Sequence, residues 1–85
     1  MKRWYVYIVK CADGTLYTGI STNIERRIYE HNNTKKAAKY TVSRRPVVLK
    51  YFKEFDGRSD ASKEEARIKK LSRVDKLNLI RSFQT

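Results

Sequence analysis

Apolar positions come in three short runs and then recur every three to four residues, and this change of period divides the chain. Trp4 to Cys11 is rich in aromatic and β-branched residues and predicts a strand. Ala12-Asp13-Gly14 is a turn signal. Thr15 to Ile20 predicts a second strand, so the chain opens with a β-hairpin. Thr22 with Glu25 three residues later has the form of a capping box, predicting a helix to about His31, where Asn32-Asn33 ends it. Ile24 and Ile28, four apart, would face the sheet. Thr34 to Arg45 is polar and basic, with room for one helical turn around Lys36 to Tyr40.

Pro46 opens a third strand, Val47 to Phe55, stopped by Asp56-Gly57; a proline is tolerated at a strand's first position. Ser59 or Asp60 caps a helix to about Leu71, with Ala61, Ile68 and Leu71 toward the core. Ser72 and Asp75 form a second capping pair, starting a last helix through about Phe83 with Val74, Leu77 and Ile80 as its apolar stripe. The order β-β-α-β-α-α mixes strands and helices without strict alternation. It predicts an α+β fold: a small three-stranded, largely antiparallel sheet flanked by helices.

Eighty-five residues without a linker or repeat predict one domain, 1–85, with one modest core. At 40% apolar and 12% aromatic, the chain is too hydrophobic for a disordered basic tail. Cys11 is the only cysteine, which excludes an internal disulfide and a cysteine metal cluster. The six-residue apolar run before Lys10 is too short for a signal-peptide core or a membrane span, so a cytoplasmic location without membrane contact is expected.

Charge changes the picture more. Twenty Lys and Arg against nine Asp and Glu give a formal net charge of +11, a field that draws polyanions, chiefly nucleic acid. The charge is uneven: Arg26 to Lys53 holds nine basic residues and one acid, Glu30, with Tyr29, Tyr40 and Tyr51 among them. Cations interleaved with aromatic planes suit phosphate tracking and base stacking. Lys36, Lys39, Tyr40, Arg44 and Arg45 are the candidate substrate-binding residues of this stretch.

Tyr5-Val6-Tyr7, Tyr17-Thr18-Gly19, the run Asn23 to His31 and the run Ala61 to Leu71 resemble, in order and spacing, the GIY-YIG nuclease superfamily. The run Ala38 to Thr41 and the triplet Arg44 to Pro46 are similar to its small single-domain bacterial members. Two departures stand out: Tyr5 and Val6 replace the glycine and isoleucine of the first motif, and Thr18 the isoleucine of the second. The motif tyrosines and Gly19 are kept. The resemblance implies that Tyr7 is the general base or orients the attacking water, and that Tyr17 positions water or phosphate beside it. It implies that Arg27 binds the scissile phosphate, that His31 assists from the same helix face, and that Glu65 holds a divalent metal, Mg²⁺ or Mn²⁺. Gly19 would let the backbone approach the substrate. DNA, preferentially single-stranded, is the implied partner, and no obligate protein partner is inferred.

These roles fit elementary chemistry. Phosphodiester hydrolysis needs a deprotonated nucleophile, charge neutralisation on the phosphoryl oxygens and help for the leaving oxygen. Arginine offers a donor fork that matches phosphate, and one carboxylate with several waters suits Mg²⁺. A geometric condition follows. If Ala12-Asp13-Gly14 is a three-residue loop with Gly14 left-handed, Cys11 pairs with Thr15, Tyr7 faces Gly19, and Tyr17 faces Val9, all on one side of the hairpin. Val6, Ile8, Leu16 and Ile20 then form the other, aliphatic side. A two-residue loop would split the tyrosines between the two faces. Glu65 is preferred to Glu64 because Ala61 precedes it by four and Ile68 follows by three, whereas Glu64 reads as a surface partner of Arg67 or Lys63. The competing class is a non-catalytic basic module for DNA or RNA, indifferent to Glu65; a third is an interaction module keeping these residues for packing.

Overall fold

A computed structural model describes residues 3–84. The strands are β1 (Trp4–Lys10), β2 (Leu16–Ser21) and β3 (Val48–Phe55), and the helices α1 (Ile24–Asn33), α2 (Lys39–Val42), α3 (Arg58–Lys69) and α4 (Arg73–Gln84). The sheet order is β2-β1-β3, with both pairs antiparallel. The α+β reading is met, with the short α2 added between α1 and β3.

The hairpin closes through the longer loop. The Cys11 N–H donates to the Thr15 carbonyl at 2.8 Å and the Gly14 N–H to the Cys11 carbonyl at 2.9 Å. Gly14 has φ +86°, a left-handed conformation that costs a glycine little and any Cβ-bearing residue more. Tyr7 therefore lies opposite Gly19 and Val9 opposite Tyr17. Along β3 the register slips between Ile8 and Val9, which pair with Tyr51 and Leu49 and leave Lys50 as the extra residue of a bulge.

Alternation along β1 gives the sheet two different faces. One carries Val6 and Ile8, fully buried with Tyr51, Ala61, Ile68 and Ile80, and with Trp4, Leu16, Ile20, Phe55, Leu71 and Leu79 packed around them. This face is covered by α3 and α4. The other carries Tyr7, Val9 and Cys11, buried with Val47 under Tyr17, Ile24, Ile28 and Leu49, and α1 covers it. Fully burying one such aliphatic side chain contributes about 1.5–3 kcal/mol.

Several element ends differ from the sequence reading. The α1 cap is Asn23 rather than Thr22: its Oδ1 accepts the Arg26 N–H at 3.0 Å, while the Ser21 Oγ accepts the Asn23 N–H at 3.0 Å and fixes the approach. The helix runs past His31 to Asn33, where the Thr34 N–H and hydroxyl both return to the Glu30 carbonyl. The single turn falls at Lys39–Val42, three residues later than its expected start. The third strand begins at Val48 because Val47 is held elsewhere: the Asn32 side chain accepts its N–H at 2.7 Å and donates to its carbonyl at 3.0 Å. Helix α3 starts at Arg58 with Gly57 as an N-cap that has no side chain to offer, and Asp60 lies in the first turn, where its charge suits the helix dipole. In α4 the Ser72 Oγ accepts the Asp75 N–H at 3.1 Å, as expected. Its buried face is not the expected stripe. Val74 is 65% exposed and Leu77 38%; Ile80 is buried, Leu79 packs on the core, and Phe83 meets Tyr51 and Phe52 edge-on at 5.4 and 5.1 Å.

Candidate active site

The α1 side of the sheet buries polar groups as well as apolar ones. Tyr7 rises from the middle of β1 and its ring leans over β2, where Gly19 leaves space. A Cβ on Gly19 would lie 2.6 Å from the Tyr7 hydroxyl oxygen. The bare backbone at Gly19 thus makes room for the tyrosine, a role the sequence reading had given to an approaching substrate.

The phenol ends against α1. Tyr7 Oη and His31 Nε2 are 2.7 Å apart, and both residues are essentially buried, at 1% and 0% exposure. The other ring nitrogen, Nδ1, lies 2.8 Å from Thr41 Oγ1. The Thr41 hydroxyl in turn donates to the Ala38 carbonyl at 3.0 Å. Sequence reasoning missed Thr41. It stands ten residues from His31 in a basic segment, and its only signal was its place in the run Ala38 to Thr41.

Burial sets the charge state of this chain of groups. It is the main cause that pushes the Tyr7 phenol up to about 12; Tyr17 and Glu65 add to the rise, and the Arg27 guanidinium opposes it. Burial also pulls the His31 imidazole down to about 4, helped by the positive charges of Arg27 and Arg45 against Glu30. Both groups are neutral at pH 7.

Arg27 lies one turn before His31 on α1. Its guanidinium bonds Glu30 at 3.0 Å and the Lys36 carbonyl at 2.7 Å, and its positive charge bears on the Tyr7 phenol. Arg26 points outward and lies 3.9 Å from Glu30. Tyr17 packs edge-on to His31, with ring centres 5.5 Å apart, and stacks on Tyr40 at 5.9 Å with planes 23° apart. The Arg44 guanidinium lies 4.0 Å from the Tyr40 ring centre, braced by Asp13 at 3.1 Å and the Tyr40 carbonyl at 2.7 Å. Arg45 is used differently: it donates to the carbonyls of His31 and Thr34, tying the loop to the end of α1. Lys36 and Lys39 are exposed, and no ion pair among the described residues engages them.

The carboxylate arrives from the opposite layer. Helix α3 packs against β1 and β2 from the aliphatic side. Glu64 and Glu65 diverge there. Both Glu64 oxygens are taken by Arg67 at 2.7 Å, which holds its carboxyl below the usual range, and its charge bears on Tyr51. At 15% side-chain exposure it is the less exposed of the two, not a surface group. Glu65, 22% exposed, pairs with Lys69 at 3.3 Å, and its charge bears on Tyr7. Tyr7, Tyr17, Arg27 and His31 thus gather on the α1 side of the sheet, and Glu65 adds its charge to the same phenol from α3 on the other side.

The donor set bears on metal. Among the described residues no three His, Cys, Asp or Glu side chains gather as ligands, and both nitrogens of His31 are engaged. The carboxylate whose charge bears on Tyr7 is Glu65, held by Lys69 at 3.3 Å. A single carboxylate of this kind would suit a divalent ion that keeps most of its waters, such as Mg²⁺. A separate hollow at the start of α1, lined by Tyr5, Asn23, Ile24, Glu25, Leu49 and Phe52, contains none of Tyr7, Tyr17, Arg27, His31 and Glu65.

Hairpin, first helix and carboxylate helix around a buried tyrosine define the class, and residues 3–78 match the GIY-YIG catalytic domain; the chain belongs to that family. More narrowly, it is similar to UPF0213 proteins of bacteria and archaea. The UPF0213 protein DP2720 of Desulfotalea psychrophila is 60% identical over 81 residues, spanning 95% of this chain and 74% of that one. A UPF0213 protein of Syntrophus aciditrophicus is 54% identical over 95% and 93%. The solution structure of EF2693 from E. faecalis superposes with a TM-score of 0.66 at 42% identity, covering 99% of this chain and 88% of that one. That of the UPF0213 protein BH0048 from Bacillus halodurans gives 0.59 at 41% identity, over 92% and 82%. No described helix is long and apolar enough to cross a membrane.

Proposed function

We propose that this protein is a metal-dependent endonuclease that hydrolyses DNA phosphodiester bonds, single-stranded or structured DNA in preference to plain duplex, with low sequence specificity. The observation that carries the reading is the buried 2.7 Å bond between Tyr7 and His31 with the charges of Arg27 and Glu65 bearing on the same phenol. A structural tyrosine needs one hydrogen-bond partner; this one also feels the charges of a guanidinium and a carboxylate.

The chain's own groups supply most of the chemistry. Arg27 binds the scissile phosphate through its donor fork and opposes the charge that builds on the equatorial oxygens. The attacking water gives a proton to the Tyr7 oxygen as Tyr7 passes its own proton to His31 Nε2. No free tyrosinate forms, so the high pKa of Tyr7 is not a barrier in itself. The arriving phosphate charge favours the imidazolium that results. The water oxygen bonds to phosphorus while the bond to the leaving sugar oxygen breaks; that oxygen takes a proton from solvent water, giving a phosphomonoester and a hydroxyl end, and the imidazolium later returns its proton to solvent. Tyr17 orients the water or a phosphoryl oxygen. Glu65 would hold the hydrated Mg²⁺ or Mn²⁺, which when bound neutralises phosphate charge and eases departure of the leaving oxygen.

Lys36, Lys39 and the Tyr40–Arg44 stack provide sequence-independent attraction for the strand on either side, and Arg45 supports that loop from beneath. Cations and a stacked ring of this kind can meet the phosphates and the open base faces of a flexible single strand, which supports the preference for single strands.

Purified protein should cut end-labelled single-stranded DNA at low salt with Mg²⁺ or Mn²⁺, stop in EDTA, and lose at least about a hundredfold in rate on Glu65→Ala. Binding without cutting in every metal, unchanged by Glu65→Ala, would instead make the protein a non-catalytic nucleic-acid module in which Tyr7–His31 is a packing bond.

A further inference from the structure

We propose that Thr41 is a positioning residue that fixes the tautomer of His31, so that an unprotonated Nε2 faces the Tyr7 hydroxyl. This rests on the relay described above for its catalytic consequence, but the tautomer itself follows from hydrogen inventory.

A threonine hydroxyl has one hydrogen. At Thr41 it is committed to the Ala38 carbonyl, which has no hydrogen to offer in return. The Thr41 oxygen can then meet Nδ1, 2.8 Å away, only as an acceptor, so Nδ1 carries the proton. A neutral imidazole has one N–H, which leaves Nε2 as a bare lone pair. The Tyr7 hydroxyl, 2.7 Å from Nε2, must therefore be the donor. The direction of the whole line is set from one end: Tyr7 O–H to His31, His31 N–H to Thr41, Thr41 O–H to Ala38. Reversing one bond alone would set two hydrogens or two lone pairs against each other; reversing the whole line would take the Thr41 hydroxyl off the Ala38 carbonyl.

The anchor is well held. Thr41 is 0% exposed, and its own N–H also returns to the Ala38 carbonyl at 2.9 Å, as does that of Val42 at 3.2 Å. Removing the hydroxyl therefore leaves the Ala38 carbonyl with partners and the α2 turn closed. What is lost is the acceptor for Nδ1–H. A buried N–H without a partner is rarer, and costlier, than an under-used acceptor. In Thr41→Val, a near-isosteric change, the proton moves to Nε2, where the Tyr7 oxygen can accept it. His31 is then a donor to Tyr7 and no longer able to take its proton.

The test uses the full chain labelled with ¹⁵N. Long-range ¹H–¹⁵N correlation at neutral pH reads which ring nitrogen of His31 is protonated, without reference to activity. Wild type and Thr41→Ser are expected to show Nδ1–H. Thr41→Val should show Nε2–H, wholly or in part. In parallel, kcat on single-stranded DNA should fall about tenfold or more in Thr41→Val with KM little changed, and be rescued to within a few-fold in Thr41→Ser. Wild-type His31 protonated on Nε2, or Thr41→Val retaining Nδ1–H and full kcat, overturns the proposal. Equal loss in Thr41→Ser and Thr41→Val with an unchanged tautomer also overturns it, assigning Thr41 to packing. A wild type that shows Nδ1–H, loses it in Thr41→Val and cuts no DNA supports the tautomer lock and refutes the nuclease reading instead.

Discussion

The two faces of one three-stranded sheet are built on opposite terms. The α3–α4 face is a close-packed set of Val6, Ile8, Ile68 and Ile80, where every group gains by leaving water. The α1 face buries Tyr7, His31 and Thr41, whose polar atoms gain nothing from burial until each is bonded, and no buried side-chain nitrogen or oxygen among the described residues lacks a partner. The first face supplies stability; the second consumes some of it to hold three hydrogen-bonding groups in a fixed line. A small domain has little margin for both, and the division is not complete: Thr18, opposite Ile8, and Tyr51 bring hydroxyls to the aliphatic face.

The sharpest way to break the comparison is to damage the first face alone. Ile8→Ala should cost about 2–5 kcal/mol, enough to unfold much of the population, while the surviving folded fraction keeps its chemistry. Urea unfolding followed by tyrosine fluorescence, beside cleavage normalised to folded protein, checks both halves.

A second prediction concerns pH and belongs to the other face. Burial lowers His31 to about 4 in the folded state, against an unfolded value near ~6.5. Between those values the unfolded chain binds the extra proton. The stability contributed by neutral His31 is therefore complete above pH ~6.5 and is lost as pH falls toward about 4, by a total of the order of 3 kcal/mol. His31→Gln should remove that part of the slope. An identical pH dependence in the variant would mean that other groups account for it.

Smaller still is Gly19→Ala. Its new Cβ would overlap the Tyr7 hydroxyl, forcing the phenol away from His31 at a cost of about 1–3 kcal/mol. Cleavage should fall further than that loss of stability explains, because the displaced group is the reactive one. An equal, purely thermodynamic loss would place Gly19 with the packing residues.

How much of this was legible in the sequence follows from the range of each interaction. The hairpin was readable as a hairpin but not in its register: Asp13-Gly14 suits a two-residue loop as well as a three-residue one, and only the Cys11–Thr15 closure with Gly14 left-handed selects the register that puts Tyr7 and Tyr17 on one face. Local polar signals were less exact. Thr22, Asn23, Ser59 and Asp60 all have capping chemistry, and choosing among neighbours depends on where the preceding strand releases the chain. The stripe expected for α4 held at Ile80 but not at Val74 and Leu77, for a different reason. A period of 3.6 fits Val74-Leu77 as well as Leu79-Phe83, and only the position of Tyr51 and Phe52 across the gap selects the second. For the site, motif spacing brought forward Tyr7, Tyr17, Arg27, His31 and Glu65. It said nothing of Thr41 or of the support that Arg45 gives the His31 carbonyl, because loop-to-helix hydrogen bonds leave no periodic trace.

The proposed chemistry turns on one oxygen atom, the Tyr7 hydroxyl. Tyr7→Phe removes it and leaves the ring, the sheet and the bound DNA in place. Single-turnover cleavage of single-stranded DNA with Mg²⁺ should fall by at least about a hundredfold, with the affinity for DNA unchanged. Cleavage by Tyr7→Phe at the wild-type rate would contradict it, since the buried bond to His31 would then be packing and the reactive centre would lie elsewhere.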